Sequence, residues 1–411
     1  MNGHHQGTPL GDGARSVAAP RRIAILGCGN VGREVAARLI SSGDRLGIAV
    51  VQILVRDTSK DRGLPPGLFT SSIDRVDAAE PELVVELIGG LEPAGSLAAR
   101  FLNRGIPVIT ANKTLIAHRG RELIALSRER GTELAFEASV GAAIPVIAAL
   151  RHLAGDRVLA IRGVVNGSCN FILSRLAEGW RFDDALNEAR KRGLVEPDPS
   201  ADLSGRDSAE KLCVLAGAAG VPLSPGQVET QGIEALTPED LAAARRSGRT
   251  IKLLAELDLS GGTIRARVGP TLVPRAHALA LVEDEESDVV IETELGGELF
   301  LRGRGAGPRP TASAVLGDVA RLAGRLTAAA EPARTPGAWP RRRHHIRISG
   351  DGLSPQSVLD AARRLDATQV DLMRRGARIE ANLSTPGDAA ACVGEIGGAA
   401  SVVIPVFEGD R

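Results

Sequence analysis

The chain has no tyrosine, and aromatic residues make up only 2% of its 411 positions. So little aromatic surface leaves no stacking platform for nucleobases. Net charge is also missing, because 50 basic residues face 50 acidic ones. A nucleic acid or an anionic membrane surface would want a basic excess, so neither is expected as a partner. No apolar run approaches the ~20 residues that span a bilayer. The longest runs, around residues 142–150 and 401–407, suit core elements. The first twenty residues are polar and glycine-rich, without the apolar centre of a secretory signal, and read as a disordered lead-in. Cysteine is confined to Cys28, Cys169, Cys213 and Cys392, with no C-x-x-C pair and no zinc spacing. Reduced, mostly buried thiols in a cytoplasmic protein are the expectation. Lysine is rare as well: Lys60, Lys113, Lys191, Lys211 and Lys252 stand among arginines. A lysine can release its proton where its surroundings demand it, and a guanidinium in effect cannot.

What is present is first an α/β pattern. Apolar, β-branched segments at 22–27, 48–55, 83–88 and 107–110 alternate with helical spacing at 31–41, 97–103 and 119–130. Such alternation predicts a doubly wound parallel sheet of the Rossmann type, covered on both faces. From about residue 151 the texture becomes mixed. Helices are expected at 183–191 and 209–219, and strands at 263–268 and 289–295, giving an α+β domain. A Pro/Arg-rich stretch at 331–343 reads as a linker. Beyond it, residues 345–407 fit β-α-β-β-α-β, a ferredoxin-like module. The expected domains are 21–150, 151–309 and 344–411, with the helix in 310–330 returning to complete the first.

Two local signals carry chemistry. Gly27, Gly29, Asn30, Val31 and Gly32 form G-x-G-x-x-G between a strand and a helix. In that context the glycines allow a tight turn, close approach of a pyrophosphate and close helix packing. The second strand ends in Arg56-Asp57. An acid there suits the ribose of NAD and an arginine suits the 2′-phosphate of NADP, so both cofactors remain open, with NADP preferred. The second signal is GLVEPDPSADLSGRDSAEKL at 193–212, where Glu196, Asp198, Asp202 and Asp207 lead to Lys211. Asp207 and Lys211 share a helix face, with Ser204 as a candidate cap. That spacing fits an ordinary surface ion pair as well as a proton donor beside a cofactor cleft.

Six ordered blocks, with a seventh closing the match, give the chain a family resemblance. They are Gly27–Gly32, VELIGG at 85–90, TANK at 110–113, EASVGAAIP at 137–145, VVNGSCNFIL at 164–173, the acidic stretch at 193–212, and GRGAGPRPTASAVLGD at 303–318. In that order they resemble homoserine dehydrogenases. The resemblance implies NAD(P)-dependent interconversion of L-homoserine and L-aspartate 4-semialdehyde, with Lys211 as general acid/base and Asp207 as its partner. It places Glu196, Asp202, Asp207 and Ser168 on the substrate. It places Gly89, Lys113, Gly193 and Gly307 near the cofactor, beside the glycine turn and Arg56. It further implies a sodium ion held by backbone oxygens of Glu137, Val140, Ala142 and Ile144. A homodimer or homotetramer is also implied.

The chain departs from the family pattern in places. Leu194 stands where an aromatic hydroxyl is common, and Ser168-Cys169 where two threonines are usual. The acidic segment 282–290 is expected to be a solvated loop. The C-terminal module resembles an ACT domain by element order alone, and an amino-acid effector is expected without matching residues. Two other readings stand beside the first: a related dehydrogenase acting on a different amino alcohol, and a cofactor-binding regulator without turnover.

Overall fold

A computed structural model describes residues 19–324, 344–351, 354–364, 369–375, 378–385 and 399–405. The chain divides at Ala329/Ala330 into two compact units. In the first, the elements are β1 (Arg21–Leu26), α1 (Asn30–Leu46), β2 (Ile48–Leu54), β3 (Phe69–Thr70), α2 (Ile73–Ala78), β4 (Leu83–Glu86), α3 (Ala94–Asn103), β5 (Val108–Thr110), α4 (Lys113–Glu129) and β6 (Leu134–Ala135). These strands form one sheet in the order β3-β2-β1-β4-β5-β6, parallel throughout. The strand order reverses between β1 and β4, which makes that point the ligand crevice of such sheets.

Alternation along β1 explains the two-sided core. Ile23 and Ile25 face one side with Val35 and Leu39 of α1. Ala24 and Leu26 face the other with Phe101, Leu102, Leu115 and Leu123. The second core continues without a break into residues far along the chain, including Phe171, Leu212 and Leu257.

The chain then runs through α5 (Val146–His152), β7 (Val158–Val164), α6 (Gly167–Ala177), α7 (Phe182–Lys191), α8 (Ser200–Leu203), α9 (Arg206–Ala218), β8 (Glu229–Thr230) and α10 (Pro238–Arg246). It continues through β9 (Arg249–Asp258), β10 (Arg265–Pro274), β11 (Glu286–Thr293), β12 (Gly297–Arg304) and α11 (Pro308–Leu322). A second sheet, β12-β11-β7-β9-β10-β8, is antiparallel except where β8 joins β10. Helix α11 brings Ala312, Val315 and Val319 back to the first sheet's core, against the Ile23 and Val35 side.

Strands β7, β9 and β12 are additions to the sequence reading. The apolar run Ile251–Leu257 of β9 has no period that separates strand from helix, and β12 is largely exposed. The segment 282–290 is not wholly a solvated loop. Its second half enters β11, where Ser287 and Asp288 are buried and Asp288 accepts from Arg302 at 2.8 Å. Of the cysteines, Cys169 and Cys213 are buried, Cys28 is half-buried, and Cys392 lies outside the described residues.

The second unit has β13 (His344–Asp351), α12 (Pro355–Arg364), β14 (Gln369–Arg375), β15 (Arg378–Thr385) and β16 (Ala399–Pro405). They make an antiparallel sheet in the order β14-β15-β13-β16. The helix expected between the last two strands falls in 386–398, outside the described residues.

Candidate active site

Helix α9 opens at Gly205, whose φ of +81° puts it in the left-handed region that glycine adopts without strain. A Cβ there would lie 3.1 Å from side-chain atoms of Thr230 and Val268. The expected cap is not formed, because Ser204 donates its hydroxyl to the Ser200 carbonyl at 2.6 Å instead. Asp207 is thereby free of backbone capping and points inward, only 8% exposed.

Three side chains converge on its carboxylate. Lys211 Nζ lies 2.8 Å from Oδ2, one helical turn on, and Lys113 Nζ lies 3.3 Å from Oδ1. Asn166 Nδ2 donates to Oδ2 at 2.8 Å. This is a buried pair rather than a surface one: the Lys211 side chain is 15% exposed. Burial alone would push the Asp207 carboxyl up, but Lys211, Lys113 and the Asn166 hydrogen bond overcome it and hold the pKa at about 2. For Lys113 burial disfavours the charge, while Asp207, Glu210 and Asp202 outweigh it and raise the pKa. Lys211 also donates to the Val165 carbonyl at 2.7 Å.

Asn166 organises the acids. It caps α6, accepting from the Cys169 N–H at 2.8 Å through Oδ1. Its amide nitrogen bridges Asp202 at 2.7 Å and Asp207 at 2.8 Å. Burial and the Asp207 charge raise the Asp202 pKa, against the lowering effect of Asn166 and the lysines. Asn166 and the Val165 carbonyl were not singled out from sequence. The available signal was an Asn between a β-branched strand and a helix, the usual N-cap position.

Lys113, Asn166, Asp202, Asp207 and Lys211 line a cavity of about 750 Å³, which Ser168, Gly193, Leu194, Glu196 and Gly307 also border. Ser168 donates to the Leu194 carbonyl at 2.6 Å, and the Leu194 side chain packs against the core. Cys169 turns away, its thiol reaching the Asp202 carbonyl at 3.2 Å. Arg304, Arg309 and Glu285 border the cavity too, beyond the sequence expectation.

The glycine turn, Arg56 and Gly89 are not part of that lining. Gly27 has φ +97°, and a Cβ on it would come within 2.6 Å of the Leu87 carbonyl oxygen. A Cβ on Gly29 would meet nothing within 4 Å, so the cradle beside the N-terminus of α1 is open to a phosphate. Arg56 and Asp57 are both exposed, and Asp57 accepts from the Ser59 N–H and hydroxyl, which lowers its pKa.

Glu137, Val140, Ala142 and Ile144 are buried, while Ala143 between them is exposed, and Ala142 lies in the left-handed region at φ +44°. The Ile144 carbonyl accepts from the Val146 N–H at 2.8 Å. The Glu137 carboxylate accepts from the N–H groups of Ile147 and Ala148, and burial raises its pKa against those bonds.

Comparison with known proteins adds the decisive observation. Residues 27–137 match the family described as homoserine dehydrogenase, NAD binding domain, and residues 145–320 match homoserine dehydrogenase. A curated homoserine dehydrogenase of Corynebacterium glutamicum is 40% identical over 313 residues, which is 72% of this chain and 70% of that one. The chain belongs to the homoserine dehydrogenase family. It is an NAD(P) oxidoreductase that interconverts L-homoserine and L-aspartate 4-semialdehyde.

Solved structures of homoserine dehydrogenases share the fold. That from Thiobacillus denitrificans is 33% identical with a TM-score of 0.70, covering 94% of this chain and 97% of its own. A hyperthermophilic archaeal homoserine dehydrogenase in complex with NADPH is 30% identical with a TM-score of 0.64. It covers 74% of this chain and 98% of its own. Among the described residues no helix is long and apolar enough to cross a membrane.

Proposed function

We propose that Lys211 is the general acid/base of this homoserine dehydrogenase. The observation that carries the reading is its ammonium, on the wall of the cavity and held at 2.8 Å by Asp207 and at 2.7 Å by the Val165 carbonyl. An ammonium has three N–H donors, and two are taken. The third is available to the substrate oxygen. In the reducing direction Lys211 gives that oxygen a proton as hydride reaches the adjacent carbon. In the oxidising direction it takes the proton back. The nicotinamide supplies or accepts the hydride.

Asp207 fixes the lysine's position and offsets its charge, and Lys113 shares the same carboxylate on the side of the first sheet. Glu196 and Asp202 supply negative charge for the substrate's α-ammonium, and Ser168 a hydroxyl beside them. Gly27, Gly29, Asn30, Val31 and Gly32 seat the pyrophosphate, with Gly89, Gly193 and Gly307 bordering the cofactor. Arg56, exposed at the end of β2, favours NADP over NAD, and the relative solved with NADPH supports this reading.

A sodium ion would be held by main-chain oxygens of Glu137, Val140, Ala142 and Ile144. The left-handed bend at Ala142 supports it, and the Ile144 oxygen has one lone pair already engaged. Residues 21–150 with 310–330 form the cofactor domain, and 151–309 the substrate and oligomerisation domain of a cytoplasmic homodimer or homotetramer. Residues 344–411 form an ACT-like module for an amino-acid effector, supported by the strand order of the second unit.

Glu196→Gln tests the substrate assignment. It should raise KM for L-homoserine by about 10-fold or more, the scale of one lost charge-assisted hydrogen bond. KM for the cofactor should stay within about 2-fold. Unchanged KM for homoserine would remove Glu196 from the ammonium site.

A further inference from the structure

Glu86 ends β4 and is fully buried, at 0% exposure, where its strand neighbours are Leu83, Val84 and Val85. An apolar residue would fill that place at lower cost, since a buried carboxylate without a partner is expensive. Among the described residues no cation pairs with it. Its oxygens are instead spent on backbone and hydroxyl donors. Oε1 accepts from the N–H of Ile88 at 2.7 Å and of Gly89 at 3.3 Å. Oε2 accepts from the Thr110 hydroxyl at 2.6 Å.

The network continues in both directions. On one side, Gly89 and Gly90 have φ of +83° and +72°, and the preceding Leu87 packs its carbonyl against Gly27 of the glycine turn. On the other side, Thr110 Oγ1 accepts from the Asn112 N–H at 3.0 Å. Asn112 then donates to the Gly90 carbonyl at 2.6 Å and caps α4, accepting from the Leu115 N–H at 3.0 Å. The first residue of α4 is Lys113, which reaches Asp207. One carboxylate therefore joins the turn beside the dinucleotide crevice to the helix end that delivers a lysine to the reacting cluster.

We infer that Glu86 is a positioning residue for hydride transfer: through Thr110 and Asn112 it sets the 88–90 turn against the start of α4. The inference rests on the reading that Lys113 and Asp207 border the substrate and that this turn borders the cofactor. Glu86 touches neither substrate nor cofactor in this account. It fixes the separation of the two walls between which they meet, and a misplacement of about 1 Å there can cost on the order of 100-fold in rate.

The test is kinetic. Glu86→Gln keeps the shape and an oxygen for the two N–H groups. Its amide nitrogen must donate to Thr110, so the Thr110 hydroxyl proton loses its acceptor. Thr110→Val breaks the same link from the other side, and Thr110→Ser restores it. For Glu86→Gln and Thr110→Val, kcat is expected to fall about 10- to 100-fold. KM for homoserine and cofactor should stay within about 3-fold, and the primary deuterium isotope effect with carbinol-deuterated homoserine should rise towards its limiting value. Thr110→Ser should stay near wild type in all three.

Wild-type kcat in both disruptive variants would overturn the inference. So would a loss of kcat matched by a fall in Tm with no change in isotope effect. The isotope effect reports hydride transfer and not the proton donor, so failure of the Lys211 assignment would show separately, as an active Lys211→Ala enzyme.

Discussion

Asp207 holds two ammonium groups apart and in place, one from its own helix and one from α4. That arrangement has a measurable cost in acid. The carboxyl is held at about 2 in the folded chain against an ordinary value of 3.8. A depressed folded pKa contributes stability that is complete above the unfolded value and lost as pH falls through the folded one. The gap amounts to about 2 kcal/mol at neutral pH. Denaturation of wild type and Asp207→Asn should therefore differ by a margin that narrows by about 2 kcal/mol between pH 5 and 2. Asp202, whose carboxyl is raised by burial and by the Asp207 charge, works in the opposite direction in wild type; Asp207→Asn keeps the burial and loses that charge. A constant margin across that range would mean the carboxylate is not held by the lysines.

Sequence identified the i,i+4 pair and left its setting open, since spacing on one helix says nothing about what covers it. The residues that decide the setting come from other parts of the chain and meet the pair only in three dimensions: Lys113 and Asn166 reach Asp207, and the Val165 carbonyl accepts from Lys211.

Elements place these residues, and glycine fixes the placement. Helix α9 begins where the chain turns left-handed at Gly205, so the helix axis carries Asp207 inward and leaves Ser204 outside as a tie to α8. Gly205→Ala should cost about 1–2 kcal/mol for the left-handed backbone. It should also lower kcat, because both ends of the pair ride on α9. A thermal melt and a steady-state assay on one preparation check both, and a variant with unchanged Tm and kcat would show that the turn is tolerant. The first sheet was legible from sequence because buried parallel strands read as short β-branched runs between glycine turns. The second sheet was less so. Strand β12 exposes Leu299 and Phe300, β9 has no diagnostic period, and the acidic stretch before β11 disguised the start of a buried strand.

At the level of the whole molecule, the family-model matches end at residue 320, short of the boundary near Ala329, while the Thiobacillus denitrificans structure covers 94% of the chain. The archaeal relative aligns over 98% of its own length with 74% of this chain. A chain ending at Ala329 is therefore expected to retain kcat for homoserine within about 3-fold, and to lose any inhibition by amino acids that the full chain shows. A truncated protein that folds but does not turn over would place residues beyond 329 in the catalytic apparatus. The ordered blocks across both sheets indicated what the chain does. They could do so because α4, α6 and α9 lie far apart in sequence and border one cavity, so each block leaves its own trace.

The most direct measurement is steady-state oxidation of L-homoserine with NADP or NAD, followed by absorbance of the reduced nicotinamide, for wild type and Lys211→Ala. Wild type should turn over homoserine. Lys211→Ala should lose about 10²–10⁴-fold in kcat, the range for a missing general acid/base, while still binding cofactor as wild type does. A Lys211→Ala enzyme with near wild-type kcat would contradict the account.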